Sequence, residues 1–214
     1  MPTIIPVTVY QFDELGDDAR EIARSWYREK AFDYDWYDSA FNDFETICDI
    51  LGIDLWTNQG SLVGGGRRSA PQIFFTGFCS QGDGACFTGS YAYRVGASRA
   101  IRAHAPQDGE LHRIADALRD VQRQHFYQLR ACICHRGRYC HEYSMEISVE
   151  RDRLDYSDFS ESAEETIIDA LRDLARWLYR QLEKEFEYLT SEPAVDEALT
   201  ANGYTFLENG KRFH

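Results

Sequence analysis

The chain has 214 residues, 43% of them hydrophobic, with 13 Phe, 13 Tyr and 4 Trp and a formal net charge of −13. That length and aromatic content exclude intrinsic disorder and allow a substantial core, for which a single domain is the expectation. No apolar run reaches the roughly 20 residues that span a bilayer, and the start MPTIIPVTVYQFDEL has neither a basic region nor a cleavable apolar core, so a cytoplasmic protein is expected.

The charge is unevenly distributed. Residues 1–58 carry 4 basic and 13 acidic side chains, residues 59–138 carry 11 and 5, and residues 139–214 carry 8 and 18. An overall negative field disfavours direct contact with nucleic acid or an anionic membrane and favours basic protein partners, while the basic middle leaves room for a small anionic ligand.

In chain order, DDAREIARSWYREK (17–30) predicts an amphipathic helix with Ala19, Ile22, Ala23, Trp26 and Tyr27 on one face and acids in its first turn. A second helix is expected from about Asp35 to Leu51, with Tyr37, Phe41, Phe44, Ile47, Cys48 and Leu51 on one face, Asp38, Asp43, Glu45 and Asp49 on the other, and Gly52 as its stop. The Gly-rich stretch Asn58–Ser69, containing GSLVGGGRRS, reads as a loop. Ile73–Ser80 and Cys86–Arg94 then read as a β-hairpin turning at Asp83-Gly84, a dipeptide suited to a type I′ turn.

Val95–His104 and Gly109–Gln124 predict helices, the latter with Leu111, Ile114, Leu118 and Val121 as its apolar stripe. FYQLRACICH (126–135) and YCHEYSMEISVE (139–150) predict two strands joined around Arg136-Gly137-Arg138. In the second of them Tyr139, His141, Tyr143, Met145, Ile147 and Val149 would share one face and the polar residues the other, which marks an antiparallel sheet with one covered side and one wet side. A long helix from about Ser162 to Leu189, a short one near Pro193–Ala201, and the strand-like YTFLENGKRF complete the chain. The expected class is α+β: an antiparallel sheet built from hairpins, with helices packed on one face. Within one domain spanning 1–214, the parts are a helical start at about 1–57, a hairpin-and-helix core at 70–190, and a helix-strand extension at 191–214.

Two segments carry candidate chemistry. In SQGDGA (80–85), Gly82 and Gly84 permit close backbone approach while Ser80, Gln81 and Asp83 offer donors and acceptors at a hairpin tip; a tight turn with no function is the competing account. Around 135–141, His135, Arg138, Tyr139 and His141 gather at one connection, with His135 and His141 in phase with apolar rows, where polar groups need a partner. A ligand or a buried hydrogen-bond network answers that need. Cys132, Cys134, Cys140 and His141 invite a zinc reading, but strand alternation would send Cys140 and His141 to opposite faces, so no metal and no cofactor is expected. The six cysteines are expected as free thiols. No nucleophile, metalloprotease or paired-carboxylate motif stands out, so a non-enzymatic protein is the expectation.

Taken together, VYQFDEL, AREIARSWYRE, FFTGFCSQGDGACFTGSY, HAPQDGELHRIADAL, FYQLRACICHRGRYCHEYSMEISVE and LTSEPAVDEALTANGYTFLENGKRF resemble a family of small proteins encoded by bacteriophages, prophages and their hosts. That family is loosely labelled as antitoxins of a toxin–antitoxin stability system. The insertion GSLVGGGRRSAP departs from its pattern. The resemblance implies mobile-element accessory biology, and hence a protein that binds and inhibits a bacterial host protein, such as a nucleic-acid-binding defence complex of the CRISPR kind or a toxin. The aromatics amid acids in FDYDWYDSAFNDFE (32–45) would suit an interface with a basic surface. Two alternatives stand beside it: a nucleotide-signal sponge using the Gly-rich hairpin, and a DNA mimic whose acidic surface is Asp35, Asp38, Asp43 and Asp49.

Overall fold

The structure is a computed structural model that describes residues 6–30, 35–61, 67–152 and 160–213, with the backbone alone described at 59–61 and 67–69. In chain order the elements are β1 (Tyr10–Gln11), α1 (Asp17–Lys30), α2 (Asp38–Leu51), β2 (Ile53–Leu55), β3 (Thr57–Ser61), β4 (Arg67–Pro71), β5 (Ile73–Phe75), β6 (Ala85–Phe87), β7 (Gly89–Ala92), α3 (Ala97–His104), α4 (Gly109–Gln124), β8 (Leu129–His135), β9 (Met145–Arg151), α5 (Glu161–Thr190), α6 (Glu192–Ala201) and β10 (Thr205–Phe206). All strand pairs are antiparallel, and the protein is α+β as expected. No described helix is long and apolar enough to cross a membrane.

The chain divides into two compact units, one of residues 39–182 and one formed by both ends, 1–38 with 183–214. The N-terminal helix and the C-terminal extension, read from the sequence as opposite ends of one domain, therefore share a core. Phe12, Leu15, Ala19, Ala23, Tyr27, Val195, Leu199 and Phe206 form it, with Trp26 and Tyr204 edge-on at 5.2 Å beside them. Ile22, expected in the apolar stripe of α1, is 46% exposed. At helical spacing Ala19, Ala23 and Tyr27 face the core directly and Ile22 falls on the stripe's margin. Arg24 clamps α6 to α1 through two 2.7 Å hydrogen bonds to the Asp196 carboxylate, the bidentate geometry in which Arg pairs best.

The larger unit is built on the sheet β2-β7-β8-β9. Ala131 pairs with Tyr91 on one side and Val149 on the other, so Ile53, Tyr91, Leu129, Ala131, Ile133 and Met145 line one covered face. Asp54, Ser90, Arg130, Glu146, Ser148 and Glu150 point to solvent, the alternation read from the sequence. The stripes of α4 (Leu111, Ile114, Leu118, Val121) and α5 (Ile167, Leu171, Leu174, Leu178, Leu182) are buried throughout. Asp108 caps α4 by accepting from the Glu110 and Leu111 amides, and its other oxygen accepts from Trp177 Nε1 at 2.7 Å, tying α4 to α5. Asp108→Ala is expected to cost about 2–3 kcal/mol, the sum of a lost cap and an indole N–H left unpaired at 4% exposure. Denaturant midpoints should recover part of the loss in Asp108→Asn.

Several boundaries differ from expectation. Asn58–Ser69 contributes to a hairpin, with β3 and β4 pairing from Thr57↔Pro71 to Ser61↔Arg67; main-chain pairing needs no apolar alternation, so a Gly-rich polar strand carries no periodic signal. Residues 62–66 lie outside the described residues. The run Cys86–Arg94 breaks at Thr88: β6 pairs with β5, while β7 leaves for the main sheet between β2 and β8. The strand foreseen from 126 starts at Leu129, because Phe126 and Tyr127 adopt left-handed φ of 57° and 62° as the chain leaves α4. The strand foreseen from 139 starts at Met145, after a 3-10 turn at Glu142–Ser144. Of the aromatics among the acids at 32–45, Phe44 is fully buried against Phe87, and Trp36, Tyr37 and Phe41 are half-buried, so they serve packing instead of standing exposed. Phe32 and Tyr34 lie outside the described residues.

Candidate functional site

The nine-residue connection 76–84 between β5 and β6 folds onto the connection 136–144 between β8 and β9, so the two candidate segments of the sequence meet. The tight turn is Ser80–Asp83, not Asp83-Gly84: the Asp83 amide donates to the Ser80 carbonyl at 3.1 Å, and Gly82 holds φ of 102° at the third position, which calls for glycine. Asp83 Oδ2 accepts from the Cys79 and Ser80 amides at 3.0 and 2.6 Å, so this carboxylate shapes the loop from within. Ser80 and Gln81 stand exposed at the tip. Gly84 has no left-handed φ; it is buried where a Cβ would lie 2.5 Å from His141 Cβ and 3.0 Å from the Cys140 carbonyl oxygen. Close approach, not turn conformation, is what requires glycine there. Thr76 secures the joint, its hydroxyl 3.5 Å from the Cys140 carbonyl oxygen and its amide donating to the Gly84 carbonyl at 3.0 Å. Tyr179 of α5 donates to the Gly77 carbonyl and stacks on Phe78 at 5.4 Å.

His135 ends β8 on the covered face, as its phase foretold, and its ring tilts over Phe74 at 5.4 Å. Its Nε2 lies 2.9 Å from the Tyr139 carbonyl oxygen. A carbonyl can only accept, so Nε2 is a protonated donor. His141 does not lie on a strand. It begins the 3-10 turn, its Nδ1 accepting from the Tyr143 amide at 3.0 Å, while Ser144 Oγ accepts from the His141 amide and donates to its carbonyl. Freed from the sheet, Tyr139 and Tyr143 are 61% and 66% exposed, contrary to the covered row that strand alternation predicts. Arg172 lies over the Tyr143 ring at 5.2 Å, and Arg138 is exposed beside Tyr139.

Beneath this surface Cys86 of β6, His135 and Cys140 bring their ligand atoms within 4.8 Å of one another. Burial, and then the neighbouring Cys140, push the Cys86 thiol up to about 12. The alternation argument against metal set Cys140 and His141 on opposite faces of one strand, but both lie in the connection between β8 and β9, where strand parity does not apply. Cys132 and Cys134 indeed lie on the opposite face of β8 from His135, their sulfurs 3.8 Å apart. Cys86 was the residue missed, since nothing in the sequence pairs position 86 with 135 and 140 until β6 and β8 are folded together.

The acidic residues are largely engaged. Asp43 lies 2.7 Å from His104 Nε2, Asp49 accepts from Arg94 at 2.7 Å, and Asp35 accepts from the Tyr37 hydroxyl at 2.9 Å. Asp38 is exposed.

Fold and site together define an α+β protein whose larger unit presents a two-loop surface of tyrosine, arginine and histidine over a cysteine–histidine cluster. The chain belongs to the family of a domain of unknown function, DUF8835, whose model matches residues 36–192 and so contains the whole of the larger unit. No curated protein and no solved structure matches it.

Proposed function

We propose that the protein is a non-enzymatic accessory protein of the host cytoplasm that binds and inhibits a bacterial protein through the joint of loops 76–84 and 136–144. The observation that carries this reading is the pair Tyr139 and Tyr143, more than half exposed on a joint secured by close packing and hydrogen bonds. Tyrosine supplies large contact area at little conformational cost and is enriched among residues that dominate binding energy. The resemblance to mobile-element proteins supplies the host target, a defence component or a toxin. The unit formed by the chain ends carries 16 acidic against 7 basic side chains, which favours a partner with a basic surface. Because Asp43 and Asp49 already hold hydrogen bonds within the chain, mimicry of DNA phosphates by α2 has fewer unengaged carboxylates to work with.

The test is retention of a stoichiometric host protein from bacterial lysate. Tyr139→Ala with Tyr143→Ala is expected to lower affinity about thirtyfold, at roughly 1 kcal/mol for each anchor, while the exposed Tyr188→Ala leaves it unchanged. Equal retention by the double variant would remove this surface from the interaction.

One observation favours a second reading. Arg172 over the Tyr143 ring offers a cation next to a flat aromatic face, and Arg138 is exposed in the same connection, the chemistry that holds an anionic nucleotide signal. A nucleotide that raises the melting temperature of the wild type but not of Arg138→Ala, with no host protein retained, would replace inhibitor by sponge.

A further inference from the structure

We propose that Cys86, His135 and Cys140 form a zinc site with three protein ligands and a fourth position open to water. Such a site would form whatever the surface above it binds.

Two thiols and an imidazole are a donor set suited to zinc among the common divalent metals, since thiolates prefer soft ions and reject magnesium and calcium. A tetrahedral zinc that holds two sulfurs at about 2.3 Å sets them about 3.8 Å apart, so ligand atoms already within 4.8 Å need only a small closure. The state of His135 supports this separately. A metal-bound histidine usually donates its other ring N–H to a carbonyl or carboxylate, which orients the ring and fixes the tautomer. Here Nε2–H is directed at the Tyr139 carbonyl at 2.9 Å and the ring is held against Phe74, so Nδ1 is the nitrogen left to bind a metal. Cys86 is fully buried and Cys140 half-buried, so the site has one wall in the core and one side toward solvent from which an ion can enter.

The ligands come from β6, from the end of β8 and from the connection that follows it. Zinc would cross-link the two loops of the joint, adding to Thr76 and Gly84 a bond between segments about 50 residues apart. Binding releases the thiol protons, so the bound ion converts two neutral sulfhydryls into thiolates and leaves the cluster neutral overall, which suits its burial.

Cobalt(II) added to the reduced protein under anaerobic conditions is expected to bind at one equivalent per chain, with thiolate-to-metal charge-transfer absorption and the intense visible bands of tetrahedral cobalt. Zinc should displace it and raise the melting temperature. Cys140→Ser and His135→Ala, both at half-buried positions, should lose the spectrum and the zinc-dependent shift. The double variant Cys132→Ser with Cys134→Ser should keep both. Far-UV circular dichroism shows whether each variant is folded, and Cys140→Ser, which changes one atom of a half-buried side chain, keeps the test valid if Cys86→Ser fails to fold. Octahedral cobalt spectra, a full spectrum in folded Cys140→Ser, or its loss only in the Cys132/Cys134 variant would each overturn the proposal.

Discussion

Gly84→Val is expected to destabilise the protein by about 3 kcal/mol or more, because the new side chain meets atoms that cannot step aside. Its Cβ alone would sit 2.5 Å from His141 Cβ, 2.8 Å from His141 Cα and 3.0 Å from the Cys140 carbonyl oxygen, so relief requires moving the 136–144 backbone away from the 76–84 loop. The same displacement would separate Cys86 and His135 from Cys140 and lift Tyr139 off Gly82. Binding through the joint should therefore fall together with stability. The melting temperature is expected to drop by about 6–12 °C, using the usual conversion for a chain of this size. Gly82→Ala provides the contrast: at φ of 102° with only a 4.0 Å contact to Tyr139, it carries conformational strain of about 1–2 kcal/mol but no backbone collision. If Gly84→Val melted within about 2 °C of the wild type, the close packing of the two loops would be wrong.

Gln122→Ala should be comparably severe, at about 3–5 kcal/mol. Gln122 is fully buried at the last turn of α4, and its amide forms a clamp on the first residue of β8: Nε2 donates to the Leu129 carbonyl at 2.7 Å and Oε1 accepts from the Leu129 amide at 3.2 Å. Its backbone carbonyl accepts from the Tyr127 amide at 2.7 Å, and that bond accompanies the two left-handed residues Phe126 and Tyr127. Removing the side chain leaves two main-chain groups without partners inside the core, each costing about 1–3 kcal/mol, and opens a cavity. Gln122→Met separates the causes, since it fills the space but cannot bond. Chemical denaturation should place Met close to Ala; a methionine variant as stable as the wild type would show that packing alone matters there. Because β8 ends in His135, loosening its start is also expected to weaken the cysteine–histidine cluster.

Both predictions concern polar or glycine positions, and these are where sequence and structure part. Helix α4 was legible to the residue, since Leu111, Ile114, Leu118 and Val121 recur at helical spacing, and the stripe of α5 was legible for the same reason. The alternation of β8 and β9 announces a sheet with one wet face. These signals are local: each residue reports its own burial through its hydrophobicity, and the period of burial names the element. The meeting of 80–84 with 135–141 was legible only as two suspicious segments, and their roles inside the joint were not. Asp83 looked like a ligand and instead caps its own loop; Gly84 looked like a turn and is a contact; His141 and Tyr143 looked like one strand face and belong to a 3-10 turn.

What the sequence by itself determined is therefore the α+β class, the two long helices, the sheet's covered and wet faces, and the neighbourhood of the site. The tertiary structure alone decided that the two chain ends share one core, that the run after Gly84 splits between two sheets at Thr88, and that Cys86 joins His135 and Cys140. The reason is physical: periodicity records which side of an element is dry, whereas the convergence of a thiol, an imidazole and a second thiol depends on how β6 and β8 are packed, a long-range choice that no window of neighbouring residues encodes.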